Sequence, residues 1–347
     1  MTKKLKFLII MDNTNIFFHA PKELTTDAFL VWVIYYLDSD IKFEKYKQSF
    51  FDKIILKKED RGKKVDNISL RRQENDVDVI LSFHFKSRQE ERLVLFENKT
   101  WTTTHDEQLV KYKTFYPNCY RYLYYKLGYV NSQERMNVGN DQYDIIDVHT
   151  MCEVLEDMRS LHPLIDMYYK YIKDISNGQK AYEDELFKKN YSILWDGDAQ
   201  KFLCDMITSE MAKLDIPYLE IRNGTSFGRP WTQIDIAEKK ADGYGYWEKL
   251  FWRVDIRSNK FYVRLNQYGE PSNQEETDAK LLRRDHLRKE CANIVSTIKG
   301  LQAGSMTNGT YESEVLIFFL EDNDFHLLLK SIPRITNKIV KFFYDQH

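Results

Sequence analysis

Three β-strand-like segments follow one another in the first third of the chain, and only short polar connections separate them. We predict strands at residues 65–72, 76–85 and 92–99, with a hairpin-like connection over residues 86–91. Antiparallel strands can be joined by connections this short. A β-sheet in this part of the chain is therefore the strongest constraint on the fold.

Two helices are predicted before these strands. The apolar-rich residues 29–37 indicate a buried helix, with Thr25 and Thr26 near its N-terminus. A mixed-charge segment at residues 41–56 indicates a second helix, and a polar, glycine-containing turn follows it. The sheet is therefore expected to have helical neighbours.

A further helix and strand are predicted after the three strands. Thr104 and Glu107 have the spacing of a capping box, which predicts a helix that runs to about residue 116. The aromatic-rich residues 120–129 then indicate another strand. This order predicts an α/β (α+β) core within roughly the first 130 to 150 residues.

The second half is expected to form a C-terminal α+β region. Residues 176–179 are the best candidate for a linker, which divides the chain into domains at residues 1–175 and 176–347. A hairpin turn is predicted at residues 258–260. We predict helices at residues 148–159, 163–175, 197–213, 277–298 and 332–344, and strands at residues 218–222, 231–237, 251–256, 261–265 and 315–320.

Composition excludes several classes of protein. A chain of 347 residues with 43% hydrophobic residues can bury a substantial core. No window has the roughly 18 uninterrupted apolar residues of a membrane span, so a soluble cytoplasmic protein without a membrane partner is expected. The four cysteines form no C-x-x-C pair, so reduced thiols are expected rather than zinc ligands.

The net charge of −2 excludes a uniformly basic nucleic-acid binder, so any phosphate-binding surface must be local. Residues 42–72 are one basic candidate. A second candidate consists of Arg283, Arg284, Arg288 and Lys289. Each can equally be a solvated surface.

Glu97 and Lys99 follow the apolar residues 93–96 at the end of a predicted strand. Side chains alternate between the faces of a strand, so Glu97 and Lys99 point the same way. A buried carboxylate and ammonium are costly unless a metal, a partner charge or a polar substrate compensates them. A functional site is favoured, and the alternative is an edge strand whose charges face water.

Asp76 and Asp78 are predicted on one face of the preceding strand. Either can be a metal ligand, and we favour Asp78. The alternative is an exposed acidic pair. Paired with Glu97 and Lys99, Asp78 would bring two carboxylates and a lysine to one point, which is typical of a metal-dependent nuclease.

Three further residues complete the candidate site. Gln108 and Tyr112 are four residues apart and share one face of a predicted helix. They can support a phosphate or a metal-bound water, or Tyr112 can simply pack while Gln108 is exposed. Glu23 can hold a second ion or a metal-bound water, or it can be a carboxylate near a helix N-terminus.

Phosphodiester hydrolysis adds negative charge to a group that is already anionic, so Mg²⁺ suits the reaction. Asp78, Glu97, Glu23 and the carbonyl of Asn98 are oxygen ligands of the kind that Mg²⁺ prefers, and Mn²⁺ is expected to substitute. Lys99 would orient the attacking water and stabilise the developing charge.

The ordered motifs resemble the PD-(D/E)XK nuclease superfamily, within it a bacterial group with Asn-x-Phe, Glu-Leu-(Ser/Thr) and Phe-x-x-Trp elements. The element Gln108-x-x-x-Tyr112 resembles that of RecB-type nucleases. Similarity extends to about residue 130 and is weak beyond it. The matching positions are Asn15, Phe17, Glu23, Thr25, Phe29, Trp32, Asp78, Glu97, Lys99, Gln108 and Tyr112.

The resemblance implies a restriction-endonuclease-like mixed sheet flanked by helices, Mg²⁺-dependent cleavage of DNA, and a role in restriction, repair or phage defence. The chain lacks the proline that precedes the aspartate in the family signature. It also lacks the paired cysteines of relatives that carry an iron–sulfur cluster. In the second half, Arg222, Arg229 and Trp231 can contact nucleic acid or simply shape a loop.

The expected function is therefore metal-dependent hydrolysis of duplex or single-stranded DNA. Two alternatives are an RNase and a catalytically silent nucleic-acid-binding or scaffold module of a defence complex. Expected partners besides DNA are a second copy of the chain and a controlling ATPase or sensor protein. Loss of cleavage in Lys99→Ala separates the enzyme from the scaffold.

Overall fold

The chain divides into two compact units, Met1–Lys180 and Ala181–His347, and has mixed α and β structure in both. The division falls inside a helix, Pro163–Phe187, so the predicted linker at residues 176–179 is wrong. A stripe of buried side chains runs along this helix and keeps it regular through Gly178. The stripe contains Tyr168, Ile172, Ile175 and Tyr182. The computed structural model describes residues 14–19, 22–86, 88–103, 107–241, 244–256, 260–269, 271–295, 301–304, 312–321 and 324–344.

The first unit contains a five-stranded mixed sheet, and its strand order follows the chain. The first three strands pair antiparallel, and the third, fourth and fifth pair parallel. The third and fourth strands can be parallel because a helix connects them. The strands are β1 (Val65–Glu74), β2 (Val77–Phe85), β3 (Glu91–Lys99), β4 (Arg121–Lys126) and β5 (Asp144–Asp147).

Helices cover both faces of this sheet. One face packs on α1, α2, α5 and α6 through a large apolar cluster. The other packs on α3 and α4 through two smaller clusters around Tyr112 and Tyr124. The helices are α1 (Lys22–Asp38), α2 (Glu44–Phe50), α3 (Gln108–Phe115), α4 (Ser132–Asn140), α5 (Val148–Leu155) and α6 (Pro163–Phe187).

The second unit contains a six-stranded antiparallel sheet with the order β10-β11-β9-β8-β7-β6. One face of the sheet packs against α7, α8 and α9. The strands are β6 (Glu220–Ser226), β7 (Arg229–Lys240), β8 (Trp247–Asp255), β9 (Lys260–Tyr268), β10 (Leu301–Ala303) and β11 (Glu312–Phe319). The helices are α7 (Gly197–Ala212), α8 (Gln274–Val295) and α9 (Phe325–Tyr344).

None of the helices in the described part of the chain is both long and apolar enough to cross a membrane. Each of the four cysteines is a free thiol, as expected. The basic cluster predicted on α8 is not a solvated surface, because Arg284 and Arg288 are buried.

Several predicted boundaries differ from the structure. Glu107 precedes α3 with φ of 54° instead of occupying its first turn, and Thr104 lies outside the described residues. Residues 258–259 of the predicted hairpin turn also lie outside them. Thr25 and Thr26 lie inside α1, which begins earlier than predicted, because the first turns also pack on the core.

Candidate active site

The C-terminal end of β3 carries Glu97 and Lys99 on the sheet face that α3 and α4 cover. In the parallel pairing with β4, Tyr124 is the partner of Glu97 and Lys126 is the partner of Lys99. These four side chains form a polar block at the end of two central strands. The predicted strand alternation therefore brings Glu97 and Lys99 to one face.

Glu97 is a deeply buried carboxylate, with 1% of its surface exposed. The Lys99 ammonium lies 2.5 Å from its Oε1 atom. Neither carboxylate oxygen accepts a hydrogen bond of normal geometry from the described residues. Burial, and secondarily the charge of Asp78, raise the pKa of Glu97 to about 8, while Lys99 opposes this shift.

Asp78 lies on β2 next to Glu97. Val79 pairs with Phe96 in the antiparallel ladder, so Asp78 lies opposite Glu97. Asp78 Oδ2 accepts a 2.7 Å hydrogen bond from the backbone amide of Asn98. Burial raises the pKa of Asp78, and this hydrogen bond opposes the shift.

Asp76 does not share the strand face of Asp78, which corrects the prediction. It lies in the turn before β2 with φ of 65° and forms an exposed ion pair with Lys111 at 2.8 Å. Its backbone carbonyl accepts a hydrogen bond from Tyr112. Of the two aspartates, Asp78 is therefore the one beside Glu97.

Asp78 is one of four residues that are joined in a closed ring of hydrogen bonds. Asn98 donates from its backbone to Asp78 and from its side-chain amide to Asp27 Oδ1 at 2.6 Å. The Gln73 amide lies 3.2 Å from both Asp27 Oδ2 and Asp78 Oδ1. The ring therefore connects α1, β1, β2 and β3 through two carboxylates and two amides.

Asp27 is the buried acid of this ring. Its burial, and then the charge of Asp78, raise its pKa to about 6, whereas the hydrogen bond from Asn98 lowers the pKa. The Oδ1 atom of Asn98 is buried and accepts no hydrogen bond from the described residues. Glu97 Oε2 and Asn98 Oδ1, on opposite faces of β3, are thus buried without a hydrogen bond from the described residues, whereas Glu97 Oε1 has the Lys99 ammonium beside it.

A second buried ion pair lies beside Lys99. Lys126 has no exposed surface, and its ammonium lies 2.9 Å from Glu134 Oε1 on α4. Tyr124 donates a 2.6 Å hydrogen bond to the same oxygen. Lys126 also donates to the backbone carbonyl of Thr102, just beyond β3. These contacts hold the end of the site strand against β4 and α4.

Gln108 and Tyr112 lie together on one face of α3, as predicted. The Gln108 amide donates to the Tyr112 hydroxyl at 2.5 Å, and this hydroxyl donates to the Asp76 carbonyl at 2.7 Å. Tyr112 is buried, and burial raises its pKa well above the usual range. Tyr112 is therefore an anchor between α3 and the start of β2, whereas Gln108 is partly exposed.

Glu23 contacts the segment that follows β3. Its Oε1 atom accepts hydrogen bonds from the hydroxyl groups of Thr102, at 3.2 Å, and Thr100, at 3.4 Å. Within the described residues, no group of three or more His, Cys, Asp or Glu side chains is arranged to hold a metal ion. Glu23 is therefore not grouped with Asp78 and Glu97 into such a cluster.

Four important residues were missed by the sequence analysis, namely Asp27, Gln73, Lys126 and Glu134. Asp27 follows Glu23 by four residues, so helical spacing could have indicated that both share one face of α1. Gln73 lies in β1 with a φ of 54°, and no pattern in the sequence around it predicts a place in the site. Lys126 is a charged residue in a strand that is rich in aromatic residues, which indicates a buried partner of opposite charge.

Comparison with protein-family models, with curated proteins and with solved structures found no match to this chain. Any assignment of function must therefore be argued from the site geometry and from the sequence motifs.

Proposed function

We propose that the chain is a Mg²⁺-dependent phosphodiesterase that hydrolyses DNA, with a first unit of the restriction-endonuclease-like, PD-(D/E)XK type. The proposal is supported by a mixed sheet with helices on both faces and by Asp78, Glu97 and Lys99 at adjoining ends of its strands β2 and β3. Mn²⁺ is expected to substitute for Mg²⁺ because both accept oxygen ligands.

The observation that carries the proposal is the state of Glu97. A buried carboxylate whose Oε1 atom is ion-paired with Lys99, but whose Oε2 atom accepts no hydrogen bond from the described residues, is unfavourable in a purely structural role. When Glu97 is ionised, Lys99 supplies one positive charge against two negative charges, those of Glu97 and Asp78. An additional cation would relieve this imbalance, so the arrangement favours a site for a charged ligand.

The available donors fit a hard divalent cation. Asp78 and Glu97 lie opposite each other and offer carboxylate oxygens, whereas the Asn98 side chain is directed to Asp27, so only its backbone carbonyl would be a ligand. Among the described residues Glu23 forms no metal-binding group with Asp78 and Glu97, so it would take part only through a water. Bound Mg²⁺ would supply charge neutralisation and a water of lowered pKa.

Lys99 is assigned the role nearest to the reacting groups. Its ammonium is mostly buried beside Glu97, so it is held in place by the ion pair instead of sampling solvent. From there it can orient an attacking water and stabilise charge that develops on the phosphate. Lys126 is fully buried and paired with Glu134, so it positions the strand end and does not contact substrate.

The test is to incubate the protein with supercoiled plasmid, linear duplex, single-stranded DNA and RNA in Mg²⁺, Mn²⁺ or EDTA. Lys99→Met and Glu97→Gln retain approximate side-chain size and are expected to lower cleavage by at least about 100-fold, the scale on which a lost acid–base contribution is felt. Lys213→Met, an exposed lysine paired with Glu210, is the matched control.

Metal-dependent DNA cleavage that is lost in Lys99→Met and kept in Lys213→Met supports the proposal. Equal activity in wild type and Lys99→Met would contradict the assigned site. Cleavage of RNA alone would replace DNA by RNA as the substrate. Absence of cleavage on every polymer and metal would favour the scaffold alternative.

A further inference from the structure

The β-hairpin formed by β6 and β7 has a two-residue turn with an unusual composition. Ser226 pairs with Arg229, so Phe227 and Gly228 form the turn, with φ of 50° and 72°. Turns with two positive φ values favour Asn-Gly, since bulky side chains are strained in this region. A phenylalanine at the first position is therefore unfavourable for the backbone.

No burial compensates this strain. Phe227 is 98% exposed, the largest exposed fraction among the exposed large hydrophobic residues in the described part of the chain. Strained backbone positions persist mainly where function requires the side chain. An exposed aromatic ring in a strained turn is thus a candidate contact for a ligand with a flat apolar surface.

The surroundings of the turn are positively charged. The hairpin segment at residues 221–234 contains Arg222 and Arg229 and no acidic residue. Arg229 and Arg253, the latter on β8 opposite Gln233, form no ion pair with any residue that the structure describes. Arg222, in contrast, is paired with Asp235 at 2.8 Å. Two arginines therefore remain available for an anionic partner.

Aromatic rings accompany both arginines. The Arg253 guanidinium lies 4.9 Å from the ring centre of Trp231, which packs over Gly224 across the hairpin. The Arg229 guanidinium lies 6.0 Å from the ring centre of Trp195, a half-exposed residue. Arginines held over aromatic faces combine charge with a flat stacking surface.

We propose that the β6–β7 hairpin and the adjacent part of β8 form a contact site for single-stranded DNA, in which Phe227 at the tip stacks on a base while Arg229 and, further along the sheet, Arg253 contact phosphates. Single-stranded DNA has accessible base faces and a regular negative charge, which match the exposed ring and the two arginines. This inference rests on the proposed nuclease function for its choice of polymer, and it concerns binding alone.

The test measures binding of the full chain to a fluorescently labelled single-stranded DNA of 20 nucleotides in EDTA, so that cleavage plays no part. Phe227→Ala is expected to weaken binding by about 5- to 100-fold, the range for one base–aromatic stack. Phe227→Trp should retain affinity. Leu282→Ala removes another highly exposed apolar side chain, on α8, and should leave affinity unchanged.

A stability measurement distinguishes this role from a structural one. Asparagine tolerates the left-handed conformation, so Phe227→Asn should raise the thermal midpoint while it lowers DNA affinity. A residue that merely supported the fold would lower both. Arg229→Gln and Arg253→Gln should each reduce the slope of log affinity against log salt by about one.

The inference is overturned if wild type does not bind the oligonucleotide, or if Phe227→Ala binds as tightly as wild type. It stands without the nuclease proposal if Phe227→Ala weakens binding although no polymer is cleaved. The nuclease proposal stands without this inference if DNA is cleaved by a Phe227→Ala variant whose affinity is unchanged.

Discussion

Asp27 and Asn98, which lie 71 positions apart in the sequence, are joined by a 2.6 Å hydrogen bond from the asparagine amide to the aspartate. The same asparagine donates its backbone N–H to Asp78. One residue of β3 therefore fixes two carboxylates from different elements. Its neighbours Glu97 and Lys99 point to the opposite face of the strand.

Removal of the Asp27 carboxylate should destabilise the fold. In Asp27→Ala, the buried Asn98 amide loses its acceptor, and such a loss costs about 1–3 kcal/mol. Asp76→Asn is the matched control because its ion pair with Lys111 is exposed and asparagine tolerates the positive φ of this position, and it should change the free energy of unfolding by less than about 1 kcal/mol. Urea denaturation of both variants measures this difference, and equal losses would contradict the ring as a stabilising element.

The ion pair between Lys126 and Glu134 should be sensitive to the loss of one partner. Lys126→Met leaves the buried Glu134 carboxylate without its counter-charge. We therefore expect the free energy of unfolding to fall by about 3–5 kcal/mol. Adding Glu134→Leu should recover part of this stability, since it removes the uncompensated charge. The measurement is a double-mutant cycle by chemical denaturation. Additive losses in the double variant would mean that the two residues do not interact.

Ionisation of Asp27 and Glu97 should lower stability as pH rises from about 4 to 8. Burial raises the pKa of Asp27 to about 6 and that of Glu97 to about 8, so each carboxyl ionises at a lower pH in the unfolded chain than in the folded one. The folded state then binds more protons than the unfolded state. Between its pKa in the unfolded chain and its pKa in the folded chain, each group lowers the free energy of unfolding by at most about 1.4 kcal/mol per pH unit. Between pH 6 and 8 this contribution comes from Glu97.

The pH prediction is checked by denaturation at pH 5, 6, 7 and 8 without divalent metal. Glu97→Gln cannot ionise and should flatten the dependence between pH 6 and 8. Glu90→Gln, which changes an exposed carboxylate, should keep the wild-type slope. An identical slope in wild type and Glu97→Gln would exclude Glu97 as its source.

Divalent metal should stabilise the folded chain if the proposed site binds it. At a concentration 100 times the Kd, Mg²⁺ would add about 2.7 kcal/mol to the free energy of unfolding. Glu97→Gln and Asp78→Asn should remove this gain, while Glu90→Gln should retain it. Thermal denaturation in Mg²⁺ and in EDTA provides the measurement. A full gain in Glu97→Gln would place the binding elsewhere.

The sequence predicts the central strands well because β2 and β3 are continuous apolar segments bounded by polar turns. It does not reveal α4 or β5, because α4 is polar and β5 has only four residues. The Ser176–Gln179 segment has the composition of a loop but lies inside α6, where tertiary packing outweighs local preference.

For the candidate site, strand alternation is enough to place Glu97 and Lys99 together. The roles of Asp27 and Gln73 depend on hydrogen bonds between α1, β1, β2 and β3, which no local pattern specifies. Lys126 could be recognised as unusual in its strand, but its partner Glu134 is defined only by how α4 packs.

The hydrogen-bond ring around Asp78 has a consequence for biosynthesis. Asp27, Gln73 and Asp78 leave the ribosome before Asn98, which makes the two bonds that close the ring. Glu97 and Lys99 are translated next to it, and their supporting strand β4 comes later still. A nascent chain that ends before β3 therefore contains Asp27 and Asp78 but neither Glu97 nor the asparagine that closes the ring, and the site is complete only when the whole sheet has been translated.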